Sequence, residues 1–208
     1  MELGKGTMLY DEHKFSDIVK HSRQFKTFRF GNSLELSMPI NGLRFILDEY
    51  FRSPKLQELD MSYTNISSLD FLKWSPLLKT LILRKCLAIS SIDVLSLKNH
   101  NLSLKVLDIS YCVLEEGIIE SVVMSLPNLE ELYAYNFAIS VDSLSRVLQA
   151  RAFDKLQVLE AHCEYGHRPW EYASLIVGSY PDFVLTLKEF EDNLSTVSYP
   201  SGSDEDLD

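Results

Sequence analysis

The chain repeats a phrase. Residues 66–72 read ISSLDFL and residues 89–95 read ISSIDVL, so Ser-Ser and Asp recur in the same places 23 positions later (89 − 66). A longer unit surrounds the phrase. Leu56/Leu59/Met61 stands upstream of the first copy and Leu78/Leu81/Leu83 upstream of the second, both in an L-x-x-L-x-L arrangement. The same head returns as Leu104/Leu107/Ile109, Leu129/Leu132/Ala134 and Leu156/Leu159/Ala161, with looser copies at Phe25/Phe28/Phe30 and Tyr180/Phe183/Leu185. Successive heads start 31, 22, 26, 25, 27 and 24 residues apart. Ten or eleven residues after each of the first five comes another apolar side chain: Leu36, Ile66, Ile89, Leu114 and Ile139.

A period of this length constrains the fold more than any other feature of the chain. The L-x-L part alternates, so it reads as a short strand with one face inward. The residues beyond the tenth position carry helical spacing, as in Ile118, Val122 and Leu126, or Leu144, Val147 and Leu148. One strand-plus-helix unit cannot bury its own apolar face, but stacked copies share a continuous core. Units near 22 residues leave room for a helical turn, and units of 25–27 residues accommodate a real helix. The Ser-Ser-x-Asp phrase, placed just before an apolar-periodic stretch, reads as helix N-cap and first-turn chemistry. Val141-Asp142-Ser143-Leu144 reads as a shifted form of it.

This pattern resembles a leucine-rich repeat. Cys86 and Cys112 both fall eight residues after their head, and L-x-x-L-x-L-x-x-C resembles the cysteine-containing repeats of F-box leucine-rich proteins and their relatives without an F-box. The resemblance covers roughly residues 25–165. It implies an α/β solenoid of about six repeats with terminal caps, a curved parallel sheet inside and helices outside. The Cys slot would cap the turn leaving the strand, with its small side chain inside; Thr64 and Phe137 fill that slot in neighbouring copies. The expected organisation is an amphipathic N-terminal cap over residues 1–24, repeats over 25–163, a C-terminal cap over 164–191 and a disordered acidic tail over 192–208. Met8, Phe15, Ile18 and Val19 carry the first cap, and Trp170, Tyr172, Leu175, Ile176 and Val177 the second. Residues 1–24 lack the Leu-Pro signature of an F-box.

Composition narrows the function. Of 208 residues, 46% are hydrophobic and 24% charged, as in ordinary globular proteins. The formal net charge of −10, of which Asp204, Glu205, Asp206 and Asp208 supply −4, argues against nucleic acid, since phosphate binding needs a basic face. No apolar run reaches the roughly 18 residues of a membrane span, and the N-terminus lacks the layout of a signal or transit peptide. A cytoplasmic or nuclear location is expected. Three cysteines make no disulfide framework, and the sequons at Asn65, Asn101 and Asn193 read as chance. Ser201 and Ser203 precede the acidic run where an acid-directed kinase would look, but a solubilising terminus is the simpler reading.

No catalytic constellation emerges. Gly4-Lys5-Gly6-Thr7 lacks the first glycine of a phosphate loop and the strand before it. His162, Cys163 and His167 lie close together without a fourth ligand, so no metal is expected. No Ser/His/Asp set falls at spacings that argue a triad, and no cofactor is implied. The expectation is an interaction protein and not an enzyme. If the heads are strands, the residues between the leucines project from the concave sheet. They nominate Glu58, Asp60, Arg84, Asp108, Glu131, Tyr133, Tyr135, Glu160 and His162 as partner-binding residues. The middle column reads Asp60, Ile82, Asp108, Tyr133, Glu160, which is acidic with one aromatic and suits a protein partner carrying a basic segment. The family resemblance implies substrate recognition in a ubiquitin-ligase system, with a Skp-type adaptor or cullin complex as partners. The alternative is a scaffold or assembly factor with no ligase link, like the nuclear acidic-tail or mitochondrial-assembly types.

Overall fold

Alternating apolar residues are a strand signal, and each head forms one. The computed structural model describes residues 20–29, 47, 51–100, 103–149, 155–163, 169, 172 and 183–188. The strands are β1 (Thr27–Arg29), β2 (Glu58–Asp60), β3 (Thr80–Ile82), β4 (Val106–Asp108), β5 (Glu131–Ile139), β6 (Val158–Cys163) and β7 (Val184–Lys188). They make one seven-stranded sheet in chain order, every neighbouring pair parallel. Parallel neighbours need a crossover of a dozen residues or more, which the repeat steps supply. The fold is α/β with a parallel sheet.

Register follows the leucines. Leu59, Leu81, Leu107, Leu132 and Leu159 lie side by side on successive strands, each with no solvent exposure. Met61, Leu83, Ile109, Ala134 and Ala161, two residues on, are equally buried. Removing a methylene-rich side chain from such a stack costs about 2–5 kcal/mol, because the neighbours on both sides cannot close the gap. The looser end copies also form strands. Phe28 of β1 is fully buried against Phe51, ring centroids 6.0 Å apart. At the other end the register differs from the sequence expectation: Leu159 pairs with Leu185, and Gln157 lies two residues behind it, so Phe183 does not take the Leu159 position. The shift is two residues, which keeps the inward and outward faces unchanged.

Helix type separates the shortest unit from the three that follow it. The 22-residue unit contains only a 3-10 turn, Asp70–Trp74, whereas the longer units hold α1 (Ser91–His100), α2 (Ile118–Ser125) and α3 (Val141–Gln149). Their apolar stripes, including Val94, Leu97, Ile119, Val122, Leu144 and Val147, join the same core as the inward strand residues. The two copies of the repeated phrase therefore diverge. In the second, Ser90 caps α1: its Oγ accepts from the Asp93 amide at 3.2 Å, while the Asp93 carboxylate accepts from the Ser90 amide at 3.1 Å and from the Ser90 hydroxyl. That is a reciprocal capping box. In the first, Leu69 precedes the 3-10 turn without a side-chain cap, and Ser68 Oγ accepts from the Asp70 amide at 3.2 Å. For α3 the cap is one residue earlier than Val141-Asp142-Ser143 suggests: Ser140 Oγ accepts from the Ser143 amide at 3.0 Å.

The corner leaving each strand has its own repeated chemistry. Tyr63, Lys85, Tyr111 and Asn136, each seven residues after its head, have φ of 63°, 58°, 61° and 75°. This left-handed conformation costs a non-glycine residue about 1–2 kcal/mol. A hydrogen bond to the next repeat offsets it in three cases, since the amides of Tyr63, Lys85 and Tyr111 donate to the carbonyls of Arg84, Ser110 and Tyr135 at 2.8–2.9 Å. The preceding residues help. Asp60 Oδ1 accepts from the Ser62 amide at 2.9 Å, and Asp108 Oδ1 from the Ser110 amide at 2.8 Å.

The left-handed step turns the next side chain inward. Thr64 Oγ1 and Cys86 Sγ both donate to the Met61 carbonyl, at 2.7 and 3.1 Å, and Cys112 Sγ donates to the Leu83 carbonyl at 3.0 Å. Burial pushes the thiol of Cys86 up to about 11 and that of Cys112 to about 12. All three cysteines are buried free thiols.

Of the expected end caps, little lies within the described residues. Residues 1–19, most of 164–182 and all of 189–208 fall outside them, as does Leu36. Ser22–Gln24 form a 3-10 turn before β1, and Tyr172 is buried with its hydroxyl donating to the Ile139 carbonyl at 2.8 Å. Region 164–191 contributes strand β7 to the sheet.

Candidate functional site

Strand alternation sends the residues between the leucines to the face opposite the core. Among the described residues no helix covers that face, and its side chains are half-buried. The pairing aligns Arg29, Asp60, Ile82, Asp108, Tyr133, Glu160 and Thr186 in one row across all seven strands. Glu58 and Glu131 lie in the row before it, with Thr80, Val106 and Val158. The register thus puts six of the nine nominated residues, Glu58, Asp60, Asp108, Glu131, Tyr133 and Glu160, on one face, and the Tyr135 hydroxyl reaches that face at Glu160.

Their carboxylates are not idle. Glu58 is ion-paired with Arg29, whose Nε donates at 3.0 Å. Asp60 and Asp108 hold the backbone of their own corners through the Ser62 and Ser110 amides. Glu131 accepts from the Tyr133 hydroxyl at 2.8 Å, and Glu160 accepts from the Tyr135 hydroxyl across the strand boundary. Each phenol is pushed up to about 12, first by the hydrogen bond to its carboxylate and then by burial. The face thus presents two oriented tyrosine–glutamate pairs.

His162 sits beside an irregularity. Between Tyr133 and Ala138 the β5–β6 register jumps, so that Ala138 pairs with His162. The bulge aims the Asn136 amide at His162 Nδ1, 2.8 Å away, leaving the ring proton on Nε2. Burial, then the charge of Lys188, lowers the His162 pKa. Cys163 is the next strand residue and points into the core, so the two side chains of the suggested metal cluster face opposite ways. His167 lies outside the described residues.

A second band runs along the carboxyl-terminal edge of the strands. Lys85 Nζ lies 5.3 Å from the Tyr63 ring centre and 5.5 Å from that of Tyr111. The Arg84 guanidinium is 5.6 Å from the Tyr111 ring. Tyr111 stacks on Tyr135 at 6.5 Å, and Lys188 Nζ stands 4.4 Å over the Tyr135 ring. Tyr63, Lys85, Tyr111 and Lys188 escape the strand-alternation argument. Three sit at left-handed corners, where alternation fails, and Lys188 depends on the shifted β7 register. One sequence signal does mark the corner: LDMSYT (residues 59–64) and LDISYC (residues 107–112) repeat D-x-S-Y there.

The helix side offers a cavity of about 350 Å³ between the starts of α2 and α3, lined by Glu116, Glu120, Ser140, Ser143 and Arg146 among others. Two of its charges satisfy each other. Arg146 donates to both Glu120 oxygens at 3.0 and 2.9 Å, and that bond holds the Glu120 carboxyl below its usual range. None of the nominated residues lines it.

No helix among the described residues is long and apolar enough to cross a membrane. No protein-family model matches this chain, and a search of curated proteins finds none that matches it either.

Proposed function

We propose that this chain is a leucine-rich repeat solenoid of about six repeats with terminal caps, working as a protein–protein interaction module through the open, concave face of its sheet. One observation carries the reading. A seven-stranded sheet has its helices gathered on one side, and the other side holds Tyr133 and Tyr135 oriented by carboxylates instead of by a covering layer. Half-buried tyrosines of fixed orientation lose little entropy when a partner covers them, which makes them good anchors. The partner carries a basic segment that meets Asp60, Asp108, Glu131 and Glu160. The Cys86 and Cys112 corners support the likeness to F-box-type repeats. On that basis the module selects substrates for a ubiquitin ligase in the cytoplasm or nucleus.

The test is affinity capture with the wild type, with Y133A/Y135A, and with R146A on the helix side as control. Loss of a captured protein only in the tyrosine double variant, with the melting temperature held near wild type, supports the reading. Equal capture by all three overturns it. Recovery of a Skp-type adaptor and a cullin with the wild type supports the ligase role. A specific partner recovered without them makes the chain a scaffold of the non-ligase kind.

A further inference from the structure

The edge at which the first strands begin is basic, unlike the acidic open face. Parallel strands bring each crossover back to that edge, so the residues just before each head collect there. A ladder of backbone bonds fixes their order. The Gln57 amide donates to the Lys26 carbonyl at 2.7 Å, Lys79 to Gln57 at 2.8 Å, Lys105 to Lys79 at 2.8 Å and Glu130 to Lys105 at 2.7 Å. Trp74 ends the 3-10 turn, and the Leu78 amide bonds back to the Ser75 carbonyl at 3.1 Å, which brings Leu77 to the start of the next unit. Both apolar side chains stand out from the surface, Trp74 42% exposed and Leu77 49%. The Arg52 guanidinium lies 4.5 Å from the centre of the Trp74 ring, and Lys73 Nζ lies 5.6 Å from it. Lys55 precedes its head as Leu77 precedes the next, and Lys55, Lys73 and Lys79 are all exposed. Among the described residues these three lysines form no ion pair, while Asp70, at the start of the same turn, faces His100 at 3.6 Å. Further along the ladder the basic stretch ends, because Lys105 pairs with Glu130.

We propose that this edge docks a short acidic segment of a second protein, its carboxylates meeting Arg52, Lys55, Lys73 and Lys79 and an apolar side chain lying on Trp74 and Leu77. Local charge selects the sign. Screening confines the pull of the chain's net charge to about 10 Å at ordinary ionic strength, so the cations of this edge decide what is drawn to it. Size selects a peptide segment. From β1 to β3 is two strand spacings, about 10 Å, which about three extended residues span. A bilayer surface or a nucleic acid draws its affinity from a wider run of cations than one closed off by the Lys105–Glu130 pair. Trp and Arg are the residue types that most often anchor protein interfaces, and here an arginine is already stacked on an exposed tryptophan. The edge includes none of the outward tyrosines or carboxylates of the open face, so this inference does not rest on the protein-binding reading above.

Fluorescence anisotropy of a labelled Glu-Asp-Phe-Glu-Asp peptide, titrated with the full chain at low salt, tests the docking. Binding should weaken several-fold in K73E/K79E and with added salt, and stay unchanged in K98E and in Y133A/Y135A. Replacing the Phe of the peptide by Gly should weaken binding several-fold to the wild type and leave binding to W74A unchanged. No saturable binding, an equal loss in K98E, or equal binding of the two peptides to the wild type each overturn the proposal. Weakening by Y133A/Y135A puts the peptide on the open face and overturns it too. So does tighter binding, through the same lysines, to phosphatidylserine vesicles or to a single-stranded oligonucleotide. Failure on the lysine variants leaves the open-face reading standing, since that reading is tested on the tyrosines.

Discussion

Tyr135 on β5 donates its hydroxyl proton to Glu160 on the neighbouring strand β6, and the ammonium of Lys188 on β7 stands 4.4 Å over the same ring. Three strands thus converge on one phenol. With Tyr133 and Glu131 beside it, the arrangement sets an alkaline limit on the open face.

Both phenols are pushed up to about 12, above the roughly 10 of a free tyrosine. A raised phenol pKa means that the folded chain holds its proton more tightly than the unfolded chain. The stabilisation is therefore complete below about pH 10 and disappears as pH rises towards 12. Wild type should show late-ionising phenols by near-ultraviolet absorbance, and E160Q should bring one of them back towards the ordinary range. The fall in melting temperature above pH 10 should be shallower in Y135F. An unchanged absorbance titration in E160Q would contradict the hydrogen bond as its cause.

The repeated phrase makes a paired prediction. Ser90→Ala removes one half of a reciprocal cap on a ten-residue helix, and the expected loss is about 1 kcal/mol. Ser67→Ala, at the matching place before an uncapped 3-10 turn, should stay within about 0.5 kcal/mol of wild type. Urea unfolding of the two variants side by side decides it; equal losses would show that the phrase does one job in both repeats.

Thiol chemistry should report on unfolding and nothing else. Cys86 and Cys112 are buried, donate to backbone carbonyls and have pKa values raised to about 11 and 12, so thiolate is scarce at neutral pH. A disulfide reagent should label them in the native chain no faster than global opening allows, and at once in denaturant. Rapid labelling of either under native conditions would show that the corner opens locally.

The repeat is legible in the residues alone because its signal is periodic and local. L-x-x-L-x-L marks a strand, its recurrence marks a stack, and a parallel sheet follows from crossovers of that length. The same alternation yields the six residues that the register puts on the open face, whose side follows once the leucines point inward. The corners are harder to read. Tyr63, Lys85 and Tyr111 sit where positive φ breaks the alternation; the repeated D-x-S-Y marks the corner at Tyr63 and Tyr111, but propensity does not assign a left-handed conformation to a tyrosine or a lysine. The β7 register is equally hidden, since Phe183 and Leu185 both suit an apolar position.

By itself, then, the sequence determined which side chains face the core and which strands are neighbours, since burial of a period-two pattern leaves one solution. Only the tertiary structure decided how the outward residues engage one another. Glu160 takes its proton donor from a residue 25 positions earlier, and Lys188 finds its ring on a strand two places away. Hydrogen bonds and cation–ring contacts depend on distances between chain segments. Those distances exist only after the strands have stacked in register.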